Sequence, residues 1–303
     1  MAWCPDHGSA GGRTVDTELS TRLRGHVERL AGEIGERNVF KPGSLDRAAT
    51  CIVAFWRELG LKPVELEYRA AGFACKNLEC ELPGSGPKGA IVVGAHYDSV
   101  SGCPGADDNA SGVAAMLELG RLLARRPPGR PIRFVAFANE EPPFFQTESM
   151  GSRVYAKLAR TRGDSIHAML SLEAIGFYAD RKGSQDYPPL LKPFYPSTGN
   201  FIAVVGELSQ RKRVHRLVEL LAPQLGLPVE CAATFGFFPG VTWSDHASFT
   251  AEGFPGVMVT DTAPYRNPNY HTAGDLPSTL DYDRLALLTA GLARAILALA
   301  GEP

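Results

Sequence analysis

The stretch from Ala90 to Leu123 reads AIVVGAHYDSVSGCPGADDNASGVAAMLELGRLL. It begins with an unbroken apolar run, which is typical of a strand covered on both faces of a parallel sheet. It ends with the apolar spacing of an amphipathic helix. Between the two lie one imidazole and three carboxylates, from His96, Asp98, Asp107 and Asp108. Because ligands in α/β sheets bind beyond the carboxyl ends of the strands, this loop is the first candidate for a functional site.

The rest of the chain repeats this order of short apolar runs and amphipathic segments. Further buried strands are predicted at 132–138, 168–174, 201–206 and 256–260, and half-buried strands at 63–70 and 73–82. Helices are predicted at 17–38, 45–59, 109–126, 150–162, 208–225 and 281–300. The pattern predicts a three-layer α/β/α fold, with a mostly parallel mixed central sheet covered by helices on both faces. We expect a flexible segment over 1–16 and a single domain over 17–303.

The composition and net charge argue against several classes of binding partner. The 303 residues carry a net charge of −2, so no basic field attracts nucleic acid or an anionic membrane. Neither an export signal nor an apolar run of about 20 residues, the length that spans a bilayer, is found. Six cysteines without CxxC spacing predict buried free thiols and a reducing, cytoplasmic compartment. The oligomeric state is left open.

Acids and histidines follow the predicted strands at one edge of the sheet. Glu140 and Glu141 follow the strand at 132–138, Glu173 ends the strand at 168–174, and His271 lies in a loop rich in Pro, Asn and Gly. Imidazole and carboxylate together suit zinc. There are more such groups than one tetrahedral ion needs, which favours two ions sharing a carboxylate. Asp98, two residues after His96, is expected to orient that imidazole.

Several stretches are similar, in the same order, to those of the dinuclear-zinc aminopeptidase family, over roughly residues 85–300. They are GAHYDS (94–99), GADDNASG (105–112), LEAIG (172–176), WSDHASF (243–249) and NPNYHTAGDLPSTLD (267–281). The resemblance implies a metal-dependent exopeptidase with two Zn²⁺ ions and a peptide or aminoacyl substrate. It implies that His96 and Glu173 hold one ion, Glu141 and His271 hold the other, and Asp108 bridges them. Glu140 is then the general base, and the Asp108–Asn109 peptide bond is cis.

Other residues near these stretches have simpler interpretations. Asp107 is expected to be a turn residue that accepts backbone hydrogen bonds. Ser244, Asp245 and His246 are sequence neighbours without a GxSxG turn, which argues against a serine hydrolase. Tyr265 is a candidate donor to the oxyanion of the reaction. Four phenylalanines either line a substrate pocket or pack in the core: Phe144, Phe145, Phe237 and Phe238.

These observations favour an aminopeptidase that hydrolyses the N-terminal peptide bond with water activated by the metal ions. Within the same superfamily, a carboxypeptidase, a dipeptidase or a single-zinc glutaminyl cyclase remains an alternative. An alternative of another class is a binding protein without catalytic activity.

Overall fold

The computed structural model of the protein describes residues 14–188 and 191–302, so most of the segment predicted to be flexible lies outside the described residues. The strands are β1 (Val64–Ala70), β2 (Phe73–Leu82), β3 (Ala90–His96), β4 (Ile132–Phe137), β5 (Ile166–Glu173), β6 (Ile202–Glu207), β7 (Val229–Thr234) and β8 (Gly256–Thr260). The α-helices are α1 (Thr17–Val27), α2 (Ser44–Glu58), α3 (Gly112–Leu123), α4 (Gly151–Arg162), α5 (Arg211–Leu221), α6 (His246–Ala251), α7 (Ala263–Arg266) and α8 (Tyr282–Ala300).

The eight strands form one sheet in the order β1-β2-β4-β3-β5-β8-β6-β7. The pairs β3–β4, β3–β5, β5–β8 and β6–β7 are parallel. The pairs β1–β2, β2–β4 and β6–β8 are antiparallel. The prediction of a mostly parallel mixed sheet is therefore confirmed. The central strands β3, β4, β5 and β8 run the same way, so their carboxyl ends lie along one edge.

Helices cover both faces, as the unbroken apolar runs predict. Successive residues of β3 point to opposite faces of the sheet. Val93 packs in the core formed with α3 and α8, whereas Val92 packs with Tyr155 of α4 and Phe249 of α6. On the second face the two short helices α4 and α6 lie over the β3–β5 half of the sheet. The β6–β7 half of that face instead contributes to an apolar cavity.

Some elements differ from the sequence-based predictions, among them β7 and the first helix. β7 was not predicted, because the half-buried run VECAAT includes a glutamate and lacks the unbroken aliphatic run of the central strands. The first helix continues through a wider helical turn only to Ile34, since Gly35 has a φ of 74°, a left-handed conformation that ends helices.

The cysteines and the helices bear on the predicted compartment. Cys51, Cys75, Cys80 and Cys103 are free, but Cys231 is disulfide-bonded, so the prediction of free thiols is wrong for Cys231. Disulfide pairing cannot be deduced from cysteine spacing alone, which explains the error. None of the helices in the described part of the chain has both the length and the apolarity to cross a membrane.

A buried guanidinium fastens the N-terminal helical segment to the loop after β3. The Arg37 side chain is 0% exposed. Its Nε donates to the carbonyl of Tyr97 at 2.9 Å, and its two Nη atoms donate to carbonyls that include those of Gly35 and Gly105, each at 2.9 Å. Burial lowers the pKa of Arg37 to about 10, although the nearby Asp98 opposes the shift. The side chain stays charged at neutral pH and shapes the loop that carries the acidic cluster.

We predict that Arg37→Leu lowers the free energy of unfolding by at least about 3 kcal/mol, since each buried carbonyl left without a donor costs about 1–3 kcal/mol. Arg37→Lys should recover only part of this loss, because an ammonium group has three donors in place of five. Urea unfolding followed by circular dichroism measures both variants. The control is Arg29→Leu, which removes an exposed pair with Glu33 and should cost less than about 0.5 kcal/mol. Equal losses at Arg37 and Arg29 would contradict the assigned role.

Candidate metal centre

Two adjacent parallel strands bring His96 and Glu173 to the same point. Gly94 of β3 pairs with Ser171 of β5, and His96 and Glu173 each lie two residues further on. Because side chains two apart in a strand share a face, both extend from the same face at the carboxyl edge. The distance between His96 Nε2 and Glu173 Oε1 is 3.4 Å.

Asp108 lies between the two imidazoles of the cluster. Its Oδ1 is 3.1 Å from His96 Nε2, and its Oδ2 is 3.1 Å from His271 Nε2. The Asp275 carboxylate holds this turn by accepting hydrogen bonds from the backbone N–H groups of Asp107 and Asp108, at 2.9 and 3.1 Å. The Asp108–Asn109 peptide bond is cis, as the resemblance implies. Each carboxylate oxygen of Asp108 therefore faces a different histidine.

The Glu140–Glu141 pair enters from the end of β4 and is held by Asp98. The two oxygens of Asp98 accept the backbone N–H groups of Glu140 and Glu141, each at 3.1 Å. Asp98 Oδ1 also lies 3.5 Å from His96 Nδ1. Glu141 Oε2 is 3.3 Å from His271 Nε2, whereas Glu140 Oε2 is 4.0 Å from the imidazole of His96. One carboxylate thus holds the acidic pair and lies beside the first histidine, whose buried Nδ1 has no hydrogen-bond partner in the described part of the chain.

Five side chains form two groups of three that could each hold a cation. The first group is His96, Asp108 and Glu173, and the second is Asp108, Glu141 and His271. Within each group, the donor atoms lie within 4.8 Å of one another. Asp108 Oδ1 and Glu141 Oε1 are buried and have no hydrogen-bond partner, a costly state for an anion that a cation would relieve. Geometry and donor chemistry therefore fit two metal ions with Asp108 between them.

The electrostatics of the cluster show an excess of negative charge. Burial, reinforced by the Glu173 and Glu141 carboxylates, raises the pKa of Glu140 well above its usual range, against the opposing effect of His96. Burial and then the charge of Asp108 raise the pKa of Glu141 to about 7. Bound cations would remove the need for protons on these groups, because an opposite charge favours the ionised carboxylate.

Asp107 and Asn109, on either side of Asp108, have structural contacts. Asp107 accepts hydrogen bonds from the Gly176 N–H at 2.9 Å and from Asn267 Nδ2 at 2.8 Å, and it belongs to neither donor group. Asn109 Nδ2 donates to the carbonyl of Leu172 at 2.8 Å, a bond that a carboxylate cannot make. The amide at 109 thus ties the turn to β5.

The Ser244–His246 stretch does not form a nucleophile and base pair. Ser244 Oγ donates to Glu173 Oε2 at 2.7 Å, so the serine holds a member of the cluster. His246 Nε2 lies 2.8 Å from the carbonyl of Val241, and burial lowers the pKa of His246 to about 4. Asp245 is fully buried beside the start of α6. Cys103 is buried and lies in neither donor group.

A tyrosine that the sequence analysis did not single out lies against the cluster. The Tyr270 ring stacks on the His271 ring, with centroids 3.8 Å apart. Burial, followed by the charges of Asp108 and Glu141, raises the pKa of Tyr270. Tyr265 lies in α7 on the wall of the neighbouring cavity, and the charge that acts on its hydroxyl after burial is that of Asp186. Adjacency to His271 was the available signal for Tyr270.

An apolar cavity opens beside Glu173. Its wall includes Tyr187, Tyr195, Val241, Met258 and Tyr270. None of the four phenylalanines considered from the sequence contributes to this wall. Phe144 is buried beside Ala70 and Cys75, and Phe145 is half-buried. Phe237 is 78% exposed and stacks on Phe238. Phe238 packs against the core cluster that includes Val241 and Met258.

The chain is similar to known proteins over most of its length. The model of "Peptidase family M28" matches residues 77–296. The chain is similar to an uncharacterized protein, YfbL, of Escherichia coli, with 38% identity over 282 residues that cover 89% of this chain and 85% of that protein. It is 26% identical to a probable leucine aminopeptidase of Arthroderma otae, covering 76% of this chain and 58% of that protein. The chain therefore spans little more than half of that relative.

Solved structures share the fold. LapB from Legionella pneumophila superposes with a TM-score of 0.75 at 21% identity, covering 99% of this chain and 79% of that chain. BSAP, a zinc aminopeptidase from Bacillus subtilis, gives 0.70 at 17% identity, covering 91% and 94%. A glutaminyl cyclase from Fimbriiglobus ruber gives 0.68 at 19% identity, covering 97% and 98%.

We predict that Asp98→Asn weakens Zn²⁺ binding by about 10–100-fold, the usual effect of losing a group that orients a ligand. An amide at this position presents an N–H₂ group to a backbone N–H, which breaks one of the two bonds that hold the Glu140–Glu141 pair. Competition with a chromophoric chelator measures the affinity. The matched control is Asp180→Asn, which removes an exposed partner of Arg284. Unchanged affinity in Asp98→Asn would contradict the orienting role.

Proposed function

The chain belongs to peptidase family M28, and we propose that it is a zinc-dependent aminopeptidase that removes the N-terminal residue of peptides. The observation that carries this proposal is the position of Asp108, whose two oxygens face two separate histidines at 3.1 Å each. The probable leucine aminopeptidase of Arthroderma otae and the zinc aminopeptidase of Bacillus subtilis support the same activity.

The proposed cofactor is a pair of Zn²⁺ ions. Imidazole and carboxylate donors without a thiolate are typical of catalytic zinc sites. The two donor groups, His96–Asp108–Glu173 and Asp108–Glu141–His271, share one carboxylate, as in centres where two ions lie about 3.5–4 Å apart. Bound zinc polarises a carbonyl group and lowers the pKa of water.

Glu140 is the proposed general base. Its carboxylate lies in the cluster but belongs to neither donor group, and it stays 4.0 Å from His96. A group in this position can accept a proton from the attacking water and then deliver it to the nitrogen of the leaving amine. Asp98 fixes this carboxylate through the Glu140 backbone. Burial keeps the exchange of the proton away from bulk solvent.

The Tyr270 hydroxyl is the proposed donor to the oxyanion that develops on the scissile carbonyl. Its ring is fixed by stacking on His271, and a preorganised donor costs no rearrangement during the reaction. Tyr265, the earlier candidate, lines the same cavity as Tyr270, but the charge that acts on its hydroxyl is that of Asp186 and not that of a carboxylate of the cluster. Comparison of Tyr270→Phe with Tyr265→Phe separates the two assignments.

A glutaminyl cyclase is the second candidate, because a solved cyclase shares the fold over 97% of this chain. Cyclisation releases ammonia from an N-terminal glutamine and consumes no water, so the two activities give different products. A binding protein without activity would need none of the buried donors, and all five are present together with the proposed base.

The proposal predicts zinc-dependent hydrolysis of aminoacyl 4-nitroanilides and of peptides with a free N-terminus. Activity should disappear after chelation and return with Zn²⁺, while N-acetylated peptides should resist cleavage. Mass spectrometry of an N-terminal glutamine peptide shows whether residues are removed or the terminus is cyclised. Release of C-terminal residues alone would replace the proposal with a carboxypeptidase, cleavage of dipeptides alone with a dipeptidase, and cyclisation alone with a cyclase.

Glu140→Gln tests the base. We expect turnover to fall by at least about 10²–10⁴-fold, the contribution of a positioned base, with Zn²⁺ affinity retained because Glu140 is not among the proposed ligands. Glu148→Gln, on an exposed side chain paired with Lys157, is the matched control and should be fully active. Weaker zinc binding in Glu140→Gln, with turnover restored at saturating Zn²⁺, would show that Glu140 and Glu141 have exchanged roles.

A further inference from the structure

The apolar cavity beside the metal centre contains a second carboxylate that the reaction does not use. We propose that Glu230 makes this cavity select a basic N-terminal residue, lysine or arginine, over a neutral one of similar length. This inference rests on the proposed aminopeptidase activity, since it assigns the side-chain specificity of the same site.

The floor of the cavity is a row of residues that crosses four neighbouring strands. Glu173 of β5 pairs with Thr260 of β8, Thr260 pairs with Ala203 of β6, and Ala203 pairs with Glu230 of β7. Paired residues of adjacent strands share a face of the sheet, and all four line the cavity. The row therefore has a carboxylate of the metal centre at one end and Glu230 at the other.

The middle of the cavity offers little to a polar ligand. The hydroxyl of Tyr187 donates to the carbonyl of Pro196 at 2.7 Å, and that of Tyr195 donates to the carbonyl of Cys231 at 2.9 Å. The two rings stack at 5.5 Å and present carbon surface to the cavity. Thr260 Oγ1 accepts the backbone N–H of Thr262 at 2.9 Å. An aliphatic stem fits this middle section better than a polar group.

Glu230 lies close to the two tyrosines at the far part of the cavity. After burial, its charge is the next cause that raises the pKa of Tyr195, and it acts on Tyr187 in the same direction. A carboxylate can accept about four hydrogen bonds, so Glu230 can bind a ligand cation in addition to contacts within the chain. It is half-buried, which favours a charge-assisted bond over one in open water.

The spacing fits a long cationic side chain. Three strand-to-strand steps of about 4.8 Å separate the backbones of Glu173 and Glu230 by roughly 14 Å. A substrate residue whose backbone lies at the metal centre would pass its methylene stem over Thr260 and Ala203. Lysine and arginine combine such a stem with a charged end, whereas leucine ends short of Glu230.

The experiment compares kcat/KM for lysyl, arginyl, methionyl and leucyl 4-nitroanilides. Methionine is the matched neutral substrate because it is unbranched. We expect the wild type to prefer lysine and arginine over methionine. Glu230→Gln should lower kcat/KM for the two basic substrates by about 10–100-fold, the value of a hydrogen bond to a charged group, and leave the neutral substrates unchanged. Glu230→Lys should reject the basic substrates altogether.

Glu207→Gln is the control, because Glu207 ends the neighbouring strand β6 but does not line the cavity. It should retain the wild-type preference. A wild type that favours methionine over lysine, or a Glu230→Gln variant equally impaired on every substrate, would overturn the specificity assignment and leave the aminopeptidase intact. No cleavage of any substrate with Zn²⁺ present would instead overturn the proposed function.

A binding measurement tests the selectivity of the cavity independently of turnover. Isothermal titration of the zinc-loaded protein with lysine amide and with norleucine amide should show tighter binding of lysine amide, and Glu230→Gln should abolish the difference. Equal affinities in the wild type would overturn the inference.

Discussion

The architecture of the site depends on an accumulation of carboxylates at one buried point. Asp108, Glu140, Glu141 and Glu173 meet there with two imidazoles, and burial together with the neighbouring carboxylates raises the pKa values of Glu140 and Glu141. Buried ionised groups are tolerated in proteins when they are paired or coordinate a metal. The surrounding polar contacts serve to keep these groups together despite their mutual repulsion.

Three buried side chains do this by binding backbone groups on the loops. Asp275 holds the amides of the turn at Asp108, Asp98 holds those of the Glu140–Glu141 pair, and Arg37 gathers carbonyls beneath the loop after β3. Each fixes a segment that lies at or near the carboxyl edge of the central strands. The strands supply position, and these side chains supply the orientation that catalytic geometry requires.

Helix coverage of the sheet is asymmetric, and this leaves room for a substrate. On the face that bears His96 and Glu173, α4 and α6 pack against the β3–β5 half, whereas the β6–β7 half contributes to the apolar cavity. The antiparallel pairing of β6 with β8 carries the cavity floor outward to Glu230. A single mixed sheet therefore provides both the metal centre and the surface beside it.

Much of the fold could be predicted from the sequence, because the central strands are unbroken apolar runs. The strand at 256–260 was predicted at its observed bounds. Acids and histidines after the predicted strands indicated where the site lies, and the family resemblance implied the set that the structure groups together: His96, Asp108, Glu141, Glu173 and His271. β7 and α6 were missed because an edge strand with a glutamate and a six-residue helix lack periodicity. Arg37 contacts distant carbonyls, and Tyr270 contacts a cluster assembled from strand ends and loops. No local sequence pattern encodes such tertiary contacts.

The central claim is that this cluster holds two cations that share Asp108. A crystal of the zinc-loaded protein, measured on both sides of the zinc absorption edge, tests it directly. The account predicts two anomalous peaks about 3.5–4 Å apart, one beside His96 and Glu173 and the other beside Glu141 and His271, with an oxygen of Asp108 at each. A single peak at full occupancy in an active crystal, or zinc bound away from Asp108, would contradict it.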